Sequence, residues 1–185
     1  MKNTIRKHVL ITGGAGFVGI NLCRRLLSDD TVGKITVLDN QNSSANNHQI
    51  DTLRKLYPDT FEYVFHDIRE PYESKDKIDQ IYNLACPASP PIYQRDYVYT
   101  HETCVLGTRN MILLALKHRA RLLQASTSEV YGDPTVDIQQ ENYKGNVNCV
   151  GIRSCYDEGK RFAETMCFDY GQQQGLDYQI ARIFN

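Results

Sequence analysis

No block of like charge occurs in this chain. Its 21 Lys and Arg stand against 22 Asp and Glu, for a formal net charge of −1, so nothing in the composition draws it to nucleic acid or to an anionic membrane surface. No apolar run approaches the roughly 18 residues of a membrane span, and the first strand-like run follows Met1 so soon that a signal peptide is not expected. The six cysteines, Cys23, Cys86, Cys104, Cys149, Cys155 and Cys167, include no CxxC and no Cys/His metal spacing. That pattern predicts reduced thiols in a cytoplasmic protein and no metal. Repeats and linkers are missing too. What remains is ordinary: 185 residues, 41% apolar and 23% charged, enough for one globular domain over residues 1–185 with a real core.

Short apolar runs rich in β-branched or aromatic residues lie at 8–12, 34–39, 61–67, 78–85, 120–126 and 177–184. Their length suits buried parallel strands. Helical patterns begin with "GFVGINLCRRLLSDD" and recur at 46–57, 92–118 and 154–174. Strands alternating with helices predict an α/β fold, a Rossmann-like doubly wound parallel sheet. Residues 133–152 are polar and turn-rich and predict a long surface loop of the kind that often serves function. The sixth strand ends with the sequence itself, at "RIFN", which reads as a chain cut short.

Gly13-Gly14-Ala15-Gly16-Phe17-Val18-Gly19 joins the first strand to the first helix as GxxGxxG. Such a turn brings backbone close to a pyrophosphate and aims helix N–H groups at it; a purely structural turn is the competing reading. Asp39, ending the second strand about 20 residues on, is placed to accept the adenosine ribose hydroxyls. Asn40-Gln41-Asn42 after it offers no cation for a 2′-phosphate, which favours NAD over NADP. Asp67, ending the third strand, is placed to meet the adenine amino group, or is a plain turn residue.

Tyr156 and Lys160 stand four apart in "CYDEGKRFAET", on one helix face. An ammonium beside a phenol stabilises phenolate, so the tyrosine becomes a base near neutral pH, and the lysine is free to hold the nicotinamide ribose. Taken alone, the pair also fits an ordinary surface contact. "STSEVYG", residues 126–132, leaves the fifth strand at the carboxyl edge, where ligands bind in this architecture.

GxxGxxG, a Ser/Thr after the fifth strand and YxxxK together resemble the extended short-chain dehydrogenase/reductase family. Within it, "LITGGAGFVG", "LACPASPP", "STSEVYGDP", "GNVN", "RSCYDEGKR" and "ARIFN" are similar to the UDP-glucuronate decarboxylases over nearly the whole sequence. The resemblance implies conversion of UDP-glucuronate to UDP-xylose through a 4-keto intermediate. Hydride leaves C4 for NAD while Tyr156 takes the hydroxyl proton and Thr127 hydrogen-bonds that oxygen. The ketone makes the C5 carboxylate a β-keto acid, which loses CO₂ to a delocalised enolate. Glu129 manages protonation at C5, assisted by Ser128, and the hydride returns to C4. The resemblance also implies cofactor contacts from Gly13, Gly16, Phe17, Val18, Gly19, Asp39, Asn40, Asp67, Ile68, Leu84, Cys86, Thr100, Tyr156 and Lys160. It puts Tyr93 beside the sugar acid and Asn185 at the diphosphate region. It further implies a homodimer joined by a four-helix interface from 92–118 and 154–174. Phe17, Val18, Ile68 and Leu84 equally fit core positions, Cys86 a small buried hydrophobe, and Tyr131 a packing residue or wall of the site.

The family continues past "RIFN" into a C-terminal substrate domain, which would carry uridine recognition and an active-site arginine; that domain is missing here. The sequence is therefore expected to bind cofactor better than it turns over substrate. Smaller departures are Cys104 in place of an asparagine, a 96–100 stretch without the family's lysine and proline, Cys149 in place of proline, and Ile20 in place of a small serine. A nucleotide-sugar 4,6-dehydratase would carry Asp-Glu after the threonine where Ser128-Glu129 stands. That enzyme, and an NAD-binding fragment with a regulatory rather than catalytic role, are the alternatives.

Overall fold

The computed structural model describes residues 6–42 and 47–184. The chain begins with β1 (Lys7–Thr12), α1 (Phe17–Leu27), β2 (Val32–Asp39), α2 (Asn47–Leu56), β3 (Phe61–Phe65) and β4 (Gln80–Asn83). Three consecutive helical pieces follow, α3 (Pro90–Tyr93), α4 (Tyr97–Glu102) and α5 (Thr108–His118), then β5 (Arg121–Thr127), α6 (Ser154–Gln174) and β6 (Tyr178–Ile183). All strand pairs are parallel, in the order β3-β2-β1-β4-β5-β6.

Successive side chains of a strand face opposite sides, and in β1 both sides are dry. Val9 and Ile11 pack into one layer with Ile20, Cys23, Ile35 and Val37. Leu10 packs into the other with Leu38, Ile81, Met111 and Leu122. A strand buried on both faces has no room for polar alternation, which is why the sequence shows continuous apolar runs. Strand order reverses between β1 and β4, and in such sheets the crevice at the carboxyl ends beside that reversal takes ligands.

Three expected elements come out shorter or broken. The 61–67 run ends as a strand at Phe65, because Asp67 turns the chain by accepting the Arg69 and Glu70 amides. The 78–85 run ends at Asn83, where the Leu84 and Ala85 amides leave the ladder for the Thr12 hydroxyl, 3.1 Å each. The helix expected over 92–118 is interrupted: Ser89 and Pro90 start α3, Asp96 caps a new helix by accepting the Tyr99 amide, and Thr103–Gly107 form a π turn before α5. A π turn inserts one residue and re-aims the side chains around it. A Cβ on Gly107 would lie 2.5 Å from Ile68 Cδ1, so any larger residue there displaces the Ile68 side chain.

The 133–152 segment is the expected loop, and its 144–146 stretch is pinned back to the residues after β5. Asn146 donates its amide to Tyr131 O, and Arg161 bonds the carbonyls of Val130 and Lys144 at 2.7 and 3.1 Å.

Candidate active site

The glycine turn is shaped by close approach. Gly13 has φ +65°, and a Cβ there would lie 2.9 Å from the Ala85 backbone. A Cβ on Gly19 would lie 2.4 Å from Gly13 O, so α1 rests directly on the turn. Gly16 is the N-cap of α1 and no side chain caps that helix, which leaves its first amides for a ligand. Asp39 accepts the amides of Ala15 (2.9 Å) and Gln41 (2.7 Å). Burial pushes its carboxyl above the ordinary value against those two bonds.

These groups wall a cleft of about 520 Å³ that is lined by Gly13, Gly16, Asp39, Asn40, Asp67 and Ile68 and ends at Leu84 and Cys86. Asn40 donates its amide to Asp67 (3.1 Å) and to the Tyr99 hydroxyl (2.6 Å). Burial works against the Asp67 charge, but the bonds from Arg69 and Asn40 hold its carboxyl below the usual range. Tyr99 and Thr103 also line this cleft. No sequence signal marked them; the α3–α4 break brings them there. Thr100 is fully buried, its hydroxyl bonded to the carbonyls of Tyr93 and Asp96. Phe17 and Val18 are not core residues, since they are 81% and 50% exposed at the start of α1. A backbone cradle, free helix amides and two carboxylates fit a dinucleotide such as NAD.

A second cleft, about 1,100 Å³, continues from the first across Leu84 and Cys86. Thr127 ends β5, and its hydroxyl accepts the Glu129 amide at 3.2 Å. Tyr156 and Lys160 come from the first turns of α6, and these three with Glu129, Val18 and Tyr93 line the cleft. Ser128 is half-buried and lines neither cleft. Asn185 lies outside the described residues.

Tyr156 is 6% exposed and stacks on Tyr93, ring centres 4.9 Å apart and nearly parallel. Burial holds its pKa above the ordinary phenol value, although Lys160 and a hydrogen bond with Thr127 act to lower it. The Lys160 ammonium sits 5.8 Å from the Tyr156 ring centre and donates to Ala125 O at 3.0 Å. Burial disfavours its charge, but Cys86, Cys104 and Tyr156 around it outweigh that and hold it above the ordinary lysine value. Glu129 pairs with Arg153, whose Nε also lies 3.8 Å from Asp157. Arg153 lies within the quoted "RSCYDEGKR", yet its pairing with Glu129 becomes visible only in three dimensions. Tyr131 is a packing residue: its hydroxyl accepts from Arg182 at 2.8 Å and its ring stacks on Tyr143. The arrangement suits proton removal from an alcohol beside a bound dinucleotide.

No cluster of metal-binding side chains and no helix long and apolar enough to cross a membrane occurs among the described residues. In sequence, the chain is 49% identical over 179 residues to UDP-glucuronic acid decarboxylase 6 of Arabidopsis thaliana, covering 96% of this chain and 50% of that protein. It is also 49% identical over 180 residues to UDP-glucuronic acid decarboxylase 1 of Danio rerio, 97% of this chain and 41% of that one. The chain thus spans about half the length, or less, of these curated relatives. Among solved structures, a dTDP-glucose 4,6-dehydratase from Streptomyces venezuelae with NAD bound superposes with a TM-score of 0.83 at 26% identity, over 95% of this chain and 55% of that one. A UDP-glucuronic acid 4-epimerase from Bacillus cereus in complex with NAD matches in fold, with a TM-score of 0.81 at 24% identity, over 96% of this chain and 56% of that one. The NAD dependent epimerase/dehydratase family model matches residues 9–185, and the chain belongs to that family.

Proposed function

We propose that this chain is the NAD-binding part of a UDP-glucuronate decarboxylase and carries its proton-transfer residues. The observation that supports this most directly is the meeting of the dinucleotide cleft and the Thr127–Tyr156–Lys160 cleft at Leu84 and Cys86. The decarboxylase relatives at 49% identity supply the substrate class. When bound, NAD⁺ would supply the oxidant for C4 and take part again in its reduction. Tyr156 removes the C4 hydroxyl proton, with Lys160 favouring the phenolate. Thr127 holds the C4 oxygen. A C4 ketone then lets the neighbouring carboxylate leave as CO₂. Glu129, held by Arg153, faces the same cleft and passes a proton drawn from solvent to C5, assisted by Ser128. Tyr93 stacks behind Tyr156 and fixes its ring.

Decarboxylation is tested in the whole protein by CO₂ release and UDP-xylose formation from carboxyl-labelled UDP-glucuronate with NAD⁺. Dehydration of dTDP-glucose without any CO₂ from UDP-glucuronate overturns the assignment. Two lesser readings accompany it. A homodimer through α4–α5 and α6 is supported by exposed Val98, Leu113, Phe162 and Phe168 on those helices, and a monomeric mass by light scattering refutes it. A cytoplasmic location is supported by six cysteines carried as thiols, and is checked by fractionation of cells expressing the whole protein.

A further inference from the structure

We propose that Cys86 and Cys104 are a peroxide-oxidisable pair that closes to an intramolecular disulfide on the wall between the two clefts. Their Sγ atoms lie 3.2 Å apart in one hydrogen bond, about 1 Å beyond a disulfide bond length. The two thiols differ in access. Cys86 is half-buried and lines both clefts, within reach of a small peroxide. Cys104 is 2% exposed, seated in the π turn against Gly159, where a Cβ would come within 2.9 Å of its own Cβ.

Their electrostatics differ in the same sense. Burial opposes ionisation of Cys86, but the bond from Cys104 and the nearby Lys160 ammonium outweigh it and bring its pKa below the ordinary thiol value. The bond to Cys86, with burial behind it, holds Cys104 well above that value. Cys86 is therefore the attacking thiolate and Cys104 the resolving thiol. The oxidant is a hydroperoxide. Cys86 Sγ attacks one peroxide oxygen, the O–O bond breaks, and water or an alcohol leaves, giving a sulfenic acid. Cys104 Sγ then attacks the sulfenic sulfur, its proton departs with the hydroxyl as water, and the S–S bond forms. The two thiols lose two electrons and the peroxide gains them. The chemistry depends on the thiol pair alone and is the same whichever sugar nucleotide the protein takes.

The test treats the chain with hydrogen peroxide, alkylates remaining thiols under denaturing conditions and measures intact mass and tryptic peptides. The expected result is two fewer alkylated cysteines, a polypeptide about 2 Da lighter before alkylation, and a cross-link between the neighbouring peptides 78–95 and 96–109, reversed by dithiothreitol. In Cys104→Ser the cross-link is lost and Cys86 proceeds to sulfinic acid. Both thiols remaining alkylatable after peroxide, or identical Cys86 products in Cys104→Ser and the parent chain, overturns the proposal. NAD⁺ at ten times its Kd slows closure roughly tenfold by leaving little of the chain free. An unchanged rate, with the cross-link still forming, overturns the siting of Cys86 in the cofactor's path and leaves the decarboxylase reading to its own assay.

Discussion

The two clefts meet at Leu84 and Cys86, yet they are held by different means. The dinucleotide cleft is built of backbone: Gly13 and Gly19 sit where a Cβ would strike main chain, and the Asp39 carboxylate is tied to two amides. The Thr127–Tyr156 cleft is built of side chains, through the Tyr93–Tyr156 stack, the Lys160–Ala125 bond and the Glu129–Arg153 pair. A backbone site does not tolerate added volume at its glycines. A side-chain site tolerates small changes of volume but not of chemistry. Recognition of a dinucleotide, the same in every turnover, suits the first; a reaction that varies with the sugar suits the second.

The largest expected effect tests the chemical side of this contrast. Tyr156→Phe keeps the ring and its stack but removes the acid–base group, so decarboxylation in the whole protein falls by roughly 10² to 10⁴-fold while the NAD⁺ Kd stays within about twofold. CO₂ release and NAD⁺ titration measure the two, and parallel losses in both would erase the distinction. Next comes Asp39→Ala, which removes a charged acceptor from the backbone cradle. Hydrogen bonds to charged groups contribute about 1.5–3 kcal/mol, so NAD⁺ affinity drops about ten- to hundredfold, as read by calorimetry. Equal affinity would mean the turn alone holds the dinucleotide.

Gly19→Ala probes volume. The added methyl meets Gly13 O and the Gly14 Cα, neither of which is a flexible side-chain end, and the cost is about 1–3 kcal/mol of stability. An unchanged urea midpoint would show that α1 shifts freely. The smallest effect concerns Asp157, behind the Glu129–Arg153 pair, whose Oδ1 is buried without a partner. Burial raises its carboxyl pKa to about 6. The folded chain therefore holds that proton more tightly than the unfolded chain. The stabilisation is fully present below about pH 4, and is lost as pH rises through about 6. Asp157→Asn flattens this slope by on the order of 1 kcal/mol, visible as a smaller difference in Tm between pH 5 and pH 7; an unaltered slope would place the titration elsewhere.

Much of this was legible because it is local. The GxxGxxG spacing, Asp39 at a strand end and the four-residue step from Tyr156 to Lys160 each depend on geometry within a single turn, strand or helix. The breaks were not legible. The apolar run 78–85 contains nothing that marks Asn83 as the last ladder residue, because the competing acceptor is Thr12, some seventy residues away. Nor does the sequence show that the Thr100 hydroxyl bonds the carbonyls of Tyr93 and Asp96 across the α3–α4 break.

By itself, then, the sequence determined the parallel α/β class, through apolar runs fit for two-sided burial alternating with helices, and it determined the types and local spacing of the groups proposed to bind and react. Tertiary structure decided which of them meet. Parallel strands are joined only by long crossovers, so neighbours at the carboxyl edge are distant in the chain. Cys86 with Cys104, Asn40 with Tyr99, and Glu129 with Arg153 are pairs made by strand order and by one π turn, and no periodicity in the sequence encodes either.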